Sequence, residues 1–131
     1  MKVLIVEDDS ISRMYLEEIL RDFGDTHSAE DGVEALEIFK EALDESAPFN
    51  LICLDIMMPK LNGHQTLQQV REIEHRRGIG AGEMVPVLMT TALSDDNNVM
   101  EAFMKGTCDG YLVKPIGREK LVAELKRLSL V

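Results

Sequence analysis

The stretch Leu51-Ile52-Cys53-Leu54-Asp55 is a short apolar run that ends in a carboxylate, and similar runs recur along the chain. Residues 3–6 lead into Glu7, Asp8 and Asp9, residues 85–89 into Thr90 and Thr91, and residues 110–113 into Lys114 and Pro115. Short apolar runs separated by helical stretches are typical of parallel strands buried on both faces. The carboxyl ends of parallel strands lie along one edge of the sheet, where ligands bind in open α/β folds. We therefore expect these polar side chains to meet in one pocket.

Helical periodicity fills the intervals between these strands. The residues predicted to face the core are Ile11, Met14, Tyr15, Ile19 and Phe23 in the first helix, Val33, Leu36, Phe39 and Leu43 in the second, Leu67, Val70 and Ile73 in the third, Val99, Ala102 and Phe103 in the fourth, and Leu121, Val122, Leu125 and Leu128 in the last. Ser10, Asp31 and Ser94 are expected to cap the first, second and fourth helices. With a further strand expected over residues 25–29, the order of strand and helix repeats five times. This order predicts an α/β fold with a doubly wound parallel sheet.

Composition and charge limit the classes of function. The chain has 131 residues, 45% of them hydrophobic and 29% charged, which is typical of one globular domain. Its net charge of −10 argues against direct binding to nucleic acid or anionic lipid, since both require basic patches. No apolar run approaches the roughly 20 residues that span a membrane, and Met1-Lys2 leads directly into a strand, so no signal peptide is expected. Cys53 and Cys108 lack metal-ligand spacing, which favours free thiols and a cytoplasmic location.

The polar residues at the strand ends suggest phosphoryl chemistry. Glu7, Asp8 and Asp55 could supply the carboxylates that Mg²⁺ requires, and the cation would relieve their mutual repulsion. Asp55 could then act as a nucleophile toward a phosphoryl group. The Lys114 ammonium and the Thr91 hydroxyl could balance the charge on the transferring oxygens. Each residue alone is a weak signal, whereas their joint placement on one edge is specific.

Four motifs carry these residues. They are Val6-Glu7-Asp8-Asp9 with Ser12-Arg13, Leu54-Asp55-Ile56-Met57-Met58-Pro59 with Asn62-Gly63, Met89-Thr90-Thr91-Ala92, and Tyr111-Leu112-Val113-Lys114-Pro115. They are similar to the acidic, phosphoacceptor, hydroxyl and lysine motifs of response-regulator receiver domains, and the resemblance covers nearly the whole chain. It implies a flavodoxin-like fold with strand order 2-1-3-4-5. It also implies one receiver domain over residues 1–131, with no output domain in this chain.

The resemblance assigns a role to each motif residue. Asp55 would be the phosphoacceptor. The implied metal ligands are Glu7, Asp8, Asp55 and the backbone carbonyl of Met57, with Mg²⁺ or Mn²⁺ as the cofactor. The implied phosphate-binding and switch residues are Thr91, Ala92, Lys114 and Tyr111. Pro115 would have a structural role after a cis peptide bond.

Partners follow from the same resemblance. A histidine kinase or a histidine phosphotransfer protein would donate the phosphoryl group. Phosphorylation would then change the face formed by the fourth helix, fifth strand and fifth helix, and so control a downstream protein or an output domain. A homodimer through that face is also compatible with the family. The chain would catalyse only its own phosphotransfer and dephosphorylation, so we do not class it as an enzyme.

Three other interpretations were weighed. A phosphatase of the haloacid dehalogenase type would need a second Asp as proton donor where this chain has Met57, and a cap domain. A flavin-binding electron carrier would need a phosphate loop where Glu7, Asp8 and Asp9 would repel a phosphate. A degenerate receiver would bind partners without phosphorylation, although competent residues occupy every acceptor-site position. The phosphorylated receiver is therefore the preferred interpretation.

Overall fold

Five parallel strands form one sheet in the computed structural model, which describes residues 1–92 and 108–131. The strands are β1 (Lys2–Val6), β2 (Asp25–Ala29), β3 (Leu51–Asp55), β4 (Val87–Thr91) and β5 (Gly110–Val113). Their order in the sheet is β2-β1-β3-β4-β5, so the predicted flavodoxin-like arrangement is confirmed. Because all the pairings are parallel, the carboxyl ends of the strands lie along one edge of the sheet.

Helices cover both faces of this sheet. They are α1 (Ser10–Leu20), α2 (Gly32–Asp44), α3 (Gly63–Arg76) and a C-terminal helix (Arg118–Arg127). The predicted fourth helix and its Ser94 cap lie outside the described residues. The stretch from residue 76 to residue 83, which has three glycines and no apolar periodicity, contains one turn of 3-10 helix (Ala81–Glu83).

Two apolar cores lie on opposite faces of the sheet because alternate strand residues point in opposite directions. Val6 belongs to the cluster that includes Phe39 of α2 and the inner residues of α3. Ile5, its neighbour in β1, belongs to the cluster that includes Leu20 of α1 and Leu125 of the C-terminal helix. The central strands are therefore buried on both sides, which explains why β1, β3 and β4 read as nearly continuous apolar runs, whereas the edge strand β2 does not.

The inner face of α1 differs from the prediction. Periodicity predicts that Ile11, Met14 and Tyr15 face the core, but they are 77%, 64% and 50% exposed. The buried residues of α1 are Leu16, Ile19 and Leu20. The prediction is confirmed for Ile19, so the error lies at the start of the helix. The exposed and the buried sets both have helical spacing, so the pattern alone could not choose between them. The packing of α1 against the sheet buries the later set and leaves an apolar surface near the start of the helix.

One of the predicted helix N-caps is wrong. The residue that caps α1 is Asp9 rather than Ser10, because its carboxylate accepts a hydrogen bond from the Ser12 N–H at 3.1 Å. The predicted cap of α2 is confirmed, since Asp31 accepts from the Glu34 N–H at 2.9 Å. Val33, predicted to face the core from α2, is 43% exposed. It lies in the first turn, where the helix has only begun to cover the sheet.

A network of charged side chains lies at the opposite edge of the sheet, where β4 begins. Buried Glu74 accepts a hydrogen bond from the Val85 N–H at 2.7 Å, and Arg71 donates to Glu74 at 2.7 Å and to the Val85 carbonyl at 2.9 Å. Asp109 accepts from the Val87 N–H at 2.8 Å and lies 3.4 Å from the Arg71 guanidinium. These contacts fasten α3 to the start of β4 and to the residue that precedes β5.

Candidate functional site

The polar residues predicted to meet do lie together at the carboxyl edge of the sheet. Glu7 directly follows β1, Asp55 ends β3, Thr91 ends β4 and Lys114 directly follows β5. The Lys114 ammonium nitrogen is 3.0 Å from both carboxylate oxygens of Glu7 and 3.4 Å from Oδ1 of Asp55. The parallel sheet therefore brings into contact groups that are far apart in sequence, even where their strands are not neighbours.

Three carboxylates form a compact acidic cluster beside this lysine. Glu7, Asp8 and Asp55 each offer an oxygen, and these oxygens all lie within 4.8 Å of one another. Glu7 and Asp55 are buried, whereas Asp8 is exposed. Mg²⁺ prefers hard oxygen ligands and keeps several of its waters. The cluster fits such a cation, because it supplies carboxylates on the protein side and leaves one of them open to solvent.

The electrostatics of the pocket favour a bound cation. Burial raises the pKa of Asp55 and the charge of Glu7 raises it further, to about 7, although Lys114 acts in the opposite direction. Burial alone would lower the pKa of Lys114, but the hydrogen bond to Glu7 and the charge of Asp55 outweigh it and raise the pKa above its ordinary value. The pocket thus holds a stable ammonium group and more negative charge than that ammonium can balance. A divalent cation would supply the missing positive charge.

The loop after Asp55 folds back, so that Gly63 lies against the end of β3. The Gly63 N–H donates a hydrogen bond to the Ile56 carbonyl at 2.8 Å, and the Ile56 N–H donates to the Thr90 carbonyl at 3.0 Å. A Cβ atom at position 63 would lie 2.5 Å from the Asp55 carbonyl oxygen. Only glycine permits this approach, which fixes the backbone that directly follows the candidate phosphoacceptor.

The remaining predicted site residues lie around this centre. The hydroxyl of buried Thr91 donates to the Ala92 carbonyl at 3.3 Å. Tyr111 is half-buried and packs against the core cluster of α2 and α3. The Lys114–Pro115 bond is cis, as the resemblance implies. Met57 follows the acceptor strand with a side chain that is 64% exposed. The roles assigned to these residues stay predictions.

An exposed apolar surface lies beside the site and is formed by residues of α1 that helical periodicity assigns to the core. Exposed Ile11 and Tyr15 line a pocket of about 590 Å³, and its described lining also includes Lys114, Pro115 and Ile116. The surface of α1 is therefore continuous with the acidic pocket through Lys114. The sequence contains one signal for this surface: α1 carries two apolar stripes, and the sheet can cover only one of them.

Comparison with known proteins identifies the family. The family model described as the response regulator receiver domain matches residues 3–126. The chain belongs to the response-regulator receiver family. It is a receiver domain of the kind used in two-component signalling, which confirms the resemblance stated from the motifs.

Several curated relatives illustrate the contexts in which receiver domains occur. The chain is 34% identical over 130 residues to chemotaxis protein CheY of Pseudomonas aeruginosa, covering 98% of this chain and 95% of that protein. It is 35% identical to the transcriptional regulatory protein CpxR homolog of Haemophilus influenzae, covering 97% of this chain and 49% of that one. It is 32% identical to the osmosensing histidine protein kinase SLN1 of Saccharomyces cerevisiae, covering 92% of this chain and 9% of the kinase. The chain thus spans half or less of the length of some of the curated relatives it matches.

Solved structures agree with this membership. A response regulator receiver domain protein from Clostridium thermocellum superposes with a TM-score of 0.77 at 25% identity, covering 96% of this chain and 91% of that one. The receiver domain of the Francisella response regulator 1452 superposes with a TM-score of 0.70 at 30% identity, covering 97% and 94%. The receiver fold is therefore common to proteins whose sequences differ at most positions.

Family membership has general consequences for partners and cofactor. Receiver domains interact with a histidine kinase or a phosphotransfer donor and with output partners, and they generally bind Mg²⁺ through an acidic pocket. In this chain, Glu7, Asp8 and Asp55 form an acidic cluster. Within residues 1–92 and 108–131, none of the helices has the length and apolar character needed to cross a bilayer.

Proposed function

We propose that this receiver accepts a phosphoryl group from a phosphohistidine donor onto Asp55 with the help of Mg²⁺. One observation carries the proposal: the Lys114 ammonium lies between Glu7 and Asp55 while three carboxylates converge beside it. Structural ion pairs usually balance their charges, whereas this pocket retains a net negative charge at neutral pH. The imbalance suits a site that binds a cation first and a phosphoryl group afterwards.

The transfer step follows from these positions. A carboxylate oxygen of Asp55 attacks phosphorus in line, the phosphorus–nitrogen bond of the phosphohistidine breaks, and the imidazole leaves with that electron pair. The product is an acyl phosphate on Asp55. Lys114, 3.4 Å from Oδ1 of Asp55, would pair with the phosphoryl oxygens, and the Thr91 hydroxyl at the end of the neighbouring strand would donate to them. Mg²⁺ held by Glu7, Asp8, Asp55 and the Met57 carbonyl would neutralise charge on the same oxygens.

Signalling would follow from the new hydrogen bonds. Thr91 ends β4 and Tyr111 lies in adjacent β5, so a shift of the Thr91 hydroxyl toward the phosphoryl group would change the space beside Tyr111. The face that includes β5 and the C-terminal helix would then favour a different partner or an output domain. Such a shift is only as large as the difference in affinity between the two states. In this proposal the chain acts as a switch that turns over only its own phosphoryl group.

The apolar surface of α1 is the part of the described chain best placed to receive the donor. A donor must bring a phosphohistidine to Asp55, and so must cover the mouth of the pocket next to Lys114. Ile11 and Tyr15 flank that mouth and are exposed, and exposed apolar patches commonly mark protein-binding surfaces. We therefore place the donor protein over α1 and the loop after β5.

The decisive experiment is the intact mass of the protein after incubation with acetyl phosphate, with and without Mg²⁺. We expect a Mg²⁺-dependent gain of one phosphoryl group in the wild type and in Asp44→Asn, a control that alters an exposed carboxylate of α2. Asp55→Asn should gain none. Full labelling of Asp55→Asn would reject Asp55 as the acceptor, and a wild type that takes no label from either acetyl phosphate or a phosphohistidine protein would favour the degenerate receiver.

A further inference from the structure

Arg13 makes an unusual contact with the backbone of the acidic loop. It lies in α1, and its guanidinium donates a hydrogen bond from Nη1 to the backbone carbonyl of Glu7 at 2.9 Å. Its Nη2 lies 3.9 Å from the carboxylate of Glu30, and its side chain is only 17% exposed. Most charged side chains extend into solvent from a helix surface, whereas this one is folded back onto the loop between β1 and α1.

The carbonyl that Arg13 holds belongs to the peptide bond joining Glu7 to Asp8. A peptide unit is planar, so fixing its oxygen fixes the plane from which the Asp8 backbone continues. The Glu7 N–H donates to the Ala29 carbonyl at 3.0 Å, and the Glu7 carboxylate accepts from Lys114. Neither of these two contacts restrains the Glu7 carbonyl, and Arg13 supplies the hydrogen bond that does.

We propose that Arg13 is a positioning residue for the cation site, holding the Glu7–Asp8 peptide so that both carboxylates face Asp55. This inference rests on the proposed function, because it concerns the cation that the acidic cluster would bind. Arg13 acts through the backbone and does not touch the cation. Groups that orient metal ligands from behind typically contribute a factor of about 10 to 100 in metal affinity.

Electrostatics alone predicts the opposite effect of removing Arg13. A guanidinium near the cluster repels a divalent cation, so a variant that only lost this charge would bind Mg²⁺ more tightly. A variant that lost the positioning hydrogen bond would bind Mg²⁺ more weakly. The sign of the change therefore distinguishes a positioning residue from a nearby charge.

The test is a calorimetric titration of Mg²⁺ alone into the wild type, Arg13→Met and Arg21→Met. Both variants remove one positive charge from the same helix region, but Arg21 lies exposed just past the end of α1. We expect Arg13→Met to weaken Mg²⁺ binding about tenfold, and Arg21→Met to leave it within about twofold of the wild type. Unchanged or tighter binding by Arg13→Met, or an equal loss in Arg21→Met, would overturn the proposal.

A second readout needs no metal. In metal-free protein, amide hydrogen exchange in the peptide that contains Asp8 should be faster in Arg13→Met than in the wild type, and unchanged in Arg21→Met.

If Arg13→Met does not fold, Arg13→Lys takes its place, since lysine keeps the charge but cannot contact Glu7 and Glu30 with a planar fork. It should weaken Mg²⁺ binding about threefold, and wild-type affinity in a folded Arg13→Lys would then refute the role. A wild type that binds no Mg²⁺ and takes no phosphoryl label would instead refute the proposed function itself.

Discussion

The two edges of the sheet use carboxylates in opposite ways. At the edge where β4 begins, Glu74 is matched by Arg71 and by the Val85 N–H, and Asp109 is matched by the Val87 N–H. At the carboxyl edge, Glu7, Asp8 and Asp55 share one ammonium group, and the pKa of Asp55 rises to about 7 because it is buried near another carboxylate. We call the first edge balanced because its buried carboxylate, Glu74, pairs with a guanidinium, and the second unbalanced because two buried carboxylates share one ammonium.

This difference separates a structural ion pair from a binding site. Buried charges are tolerated when partners and hydrogen bonds surround them, and removing one partner is then costly. A cluster of like charges is instead unfavourable until a ligand binds, so the fold carries a cost at the carboxyl edge that a cation can relieve. Burial alone would not have distinguished the two edges, since Glu74 and Asp55 are both buried.

The largest expected effect is at the balanced edge. Arg71→Met should lower the free energy of unfolding by about 3 kcal/mol, because it leaves buried Glu74 without its counter-charge. Urea unfolding followed by circular dichroism would measure this loss. The control is Arg76→Met on the same helix, where an exposed pair with Glu72 should contribute less than about 0.5 kcal/mol. A loss under about 1 kcal/mol in Arg71→Met would remove the contrast between the edges.

The second-largest expected effect is a gain in the free energy of unfolding rather than a loss. Asp55→Asn should raise the free energy of unfolding of the metal-free protein by about 2 kcal/mol at pH 8. This is about half of the ~4 kcal/mol that three pKa units represent, because solvent at the mouth of the pocket screens part of the interaction. The pKa of Asp55 is about 7 in the folded chain and near 4 when unfolded, so its ionisation destabilises the fold as pH rises between those values. Below about pH 4 the carboxyl is protonated in both states and this penalty disappears.

Urea unfolding at pH 4, 6 and 8 would therefore give a gain for Asp55→Asn that grows with pH. Asp44→Asn, which changes an exposed carboxylate, provides the baseline. A gain for Asp55→Asn that stays constant across this range would mean that the charge of Asp55 is not the source of the penalty.

A smaller effect concerns the cation itself. Protons compete with Mg²⁺ for Asp55, so affinity should fall about fivefold from pH 7 to pH 6 if its pKa is about 7. Calorimetric titration at the two pH values measures the change. The dependence should be much flatter in Asp55→Asn, whose amide does not titrate, and an equally steep dependence in that variant would assign the competition to another group.

The smallest effect lies at the apolar surface next to the unbalanced edge. Tyr15→Ala should slow phosphotransfer from a phosphohistidine protein about threefold, because it removes a contact with the donor. Labelling by acetyl phosphate should not change, since that small donor needs no docking surface. Val33→Ala truncates an exposed apolar residue of α2 and serves as the control. An equal slowing with both donors would place the defect in the pocket rather than in docking.

Some of these features could be read from the sequence. The strand ends, the order of elements and the meeting of Glu7, Asp55 and Lys114 were predicted, because parallel topology alone brings strand ends to one edge. The buried face of α1 was predicted correctly at Ile19 but wrongly at its start, since Ile11 and Leu16 belong to two stripes of similar spacing. Helical periodicity cannot decide which stripe a neighbouring sheet will cover.

Other features could not be predicted from residue types at all. The contact between Arg13 and the Glu7 carbonyl joins a side chain to a backbone atom, and every residue carries such a carbonyl. The raised pKa of Asp55 depends on the depth at which it is buried and on its distance from Glu7. Depth and distance are properties of the packed chain.

The sequence by itself determined the family and the strand order, through the resemblance that its four motifs carry. It also determined the set of groups at the carboxyl edge, because alternating apolar runs and helices predict a parallel sheet. The tertiary structure decided how the charges are balanced. Arg71 neutralises Glu74 at one edge, while Lys114 is shared among carboxylates at the other. Electrostatic energies depend on separation and burial, and both are set only when distant parts of the chain pack together.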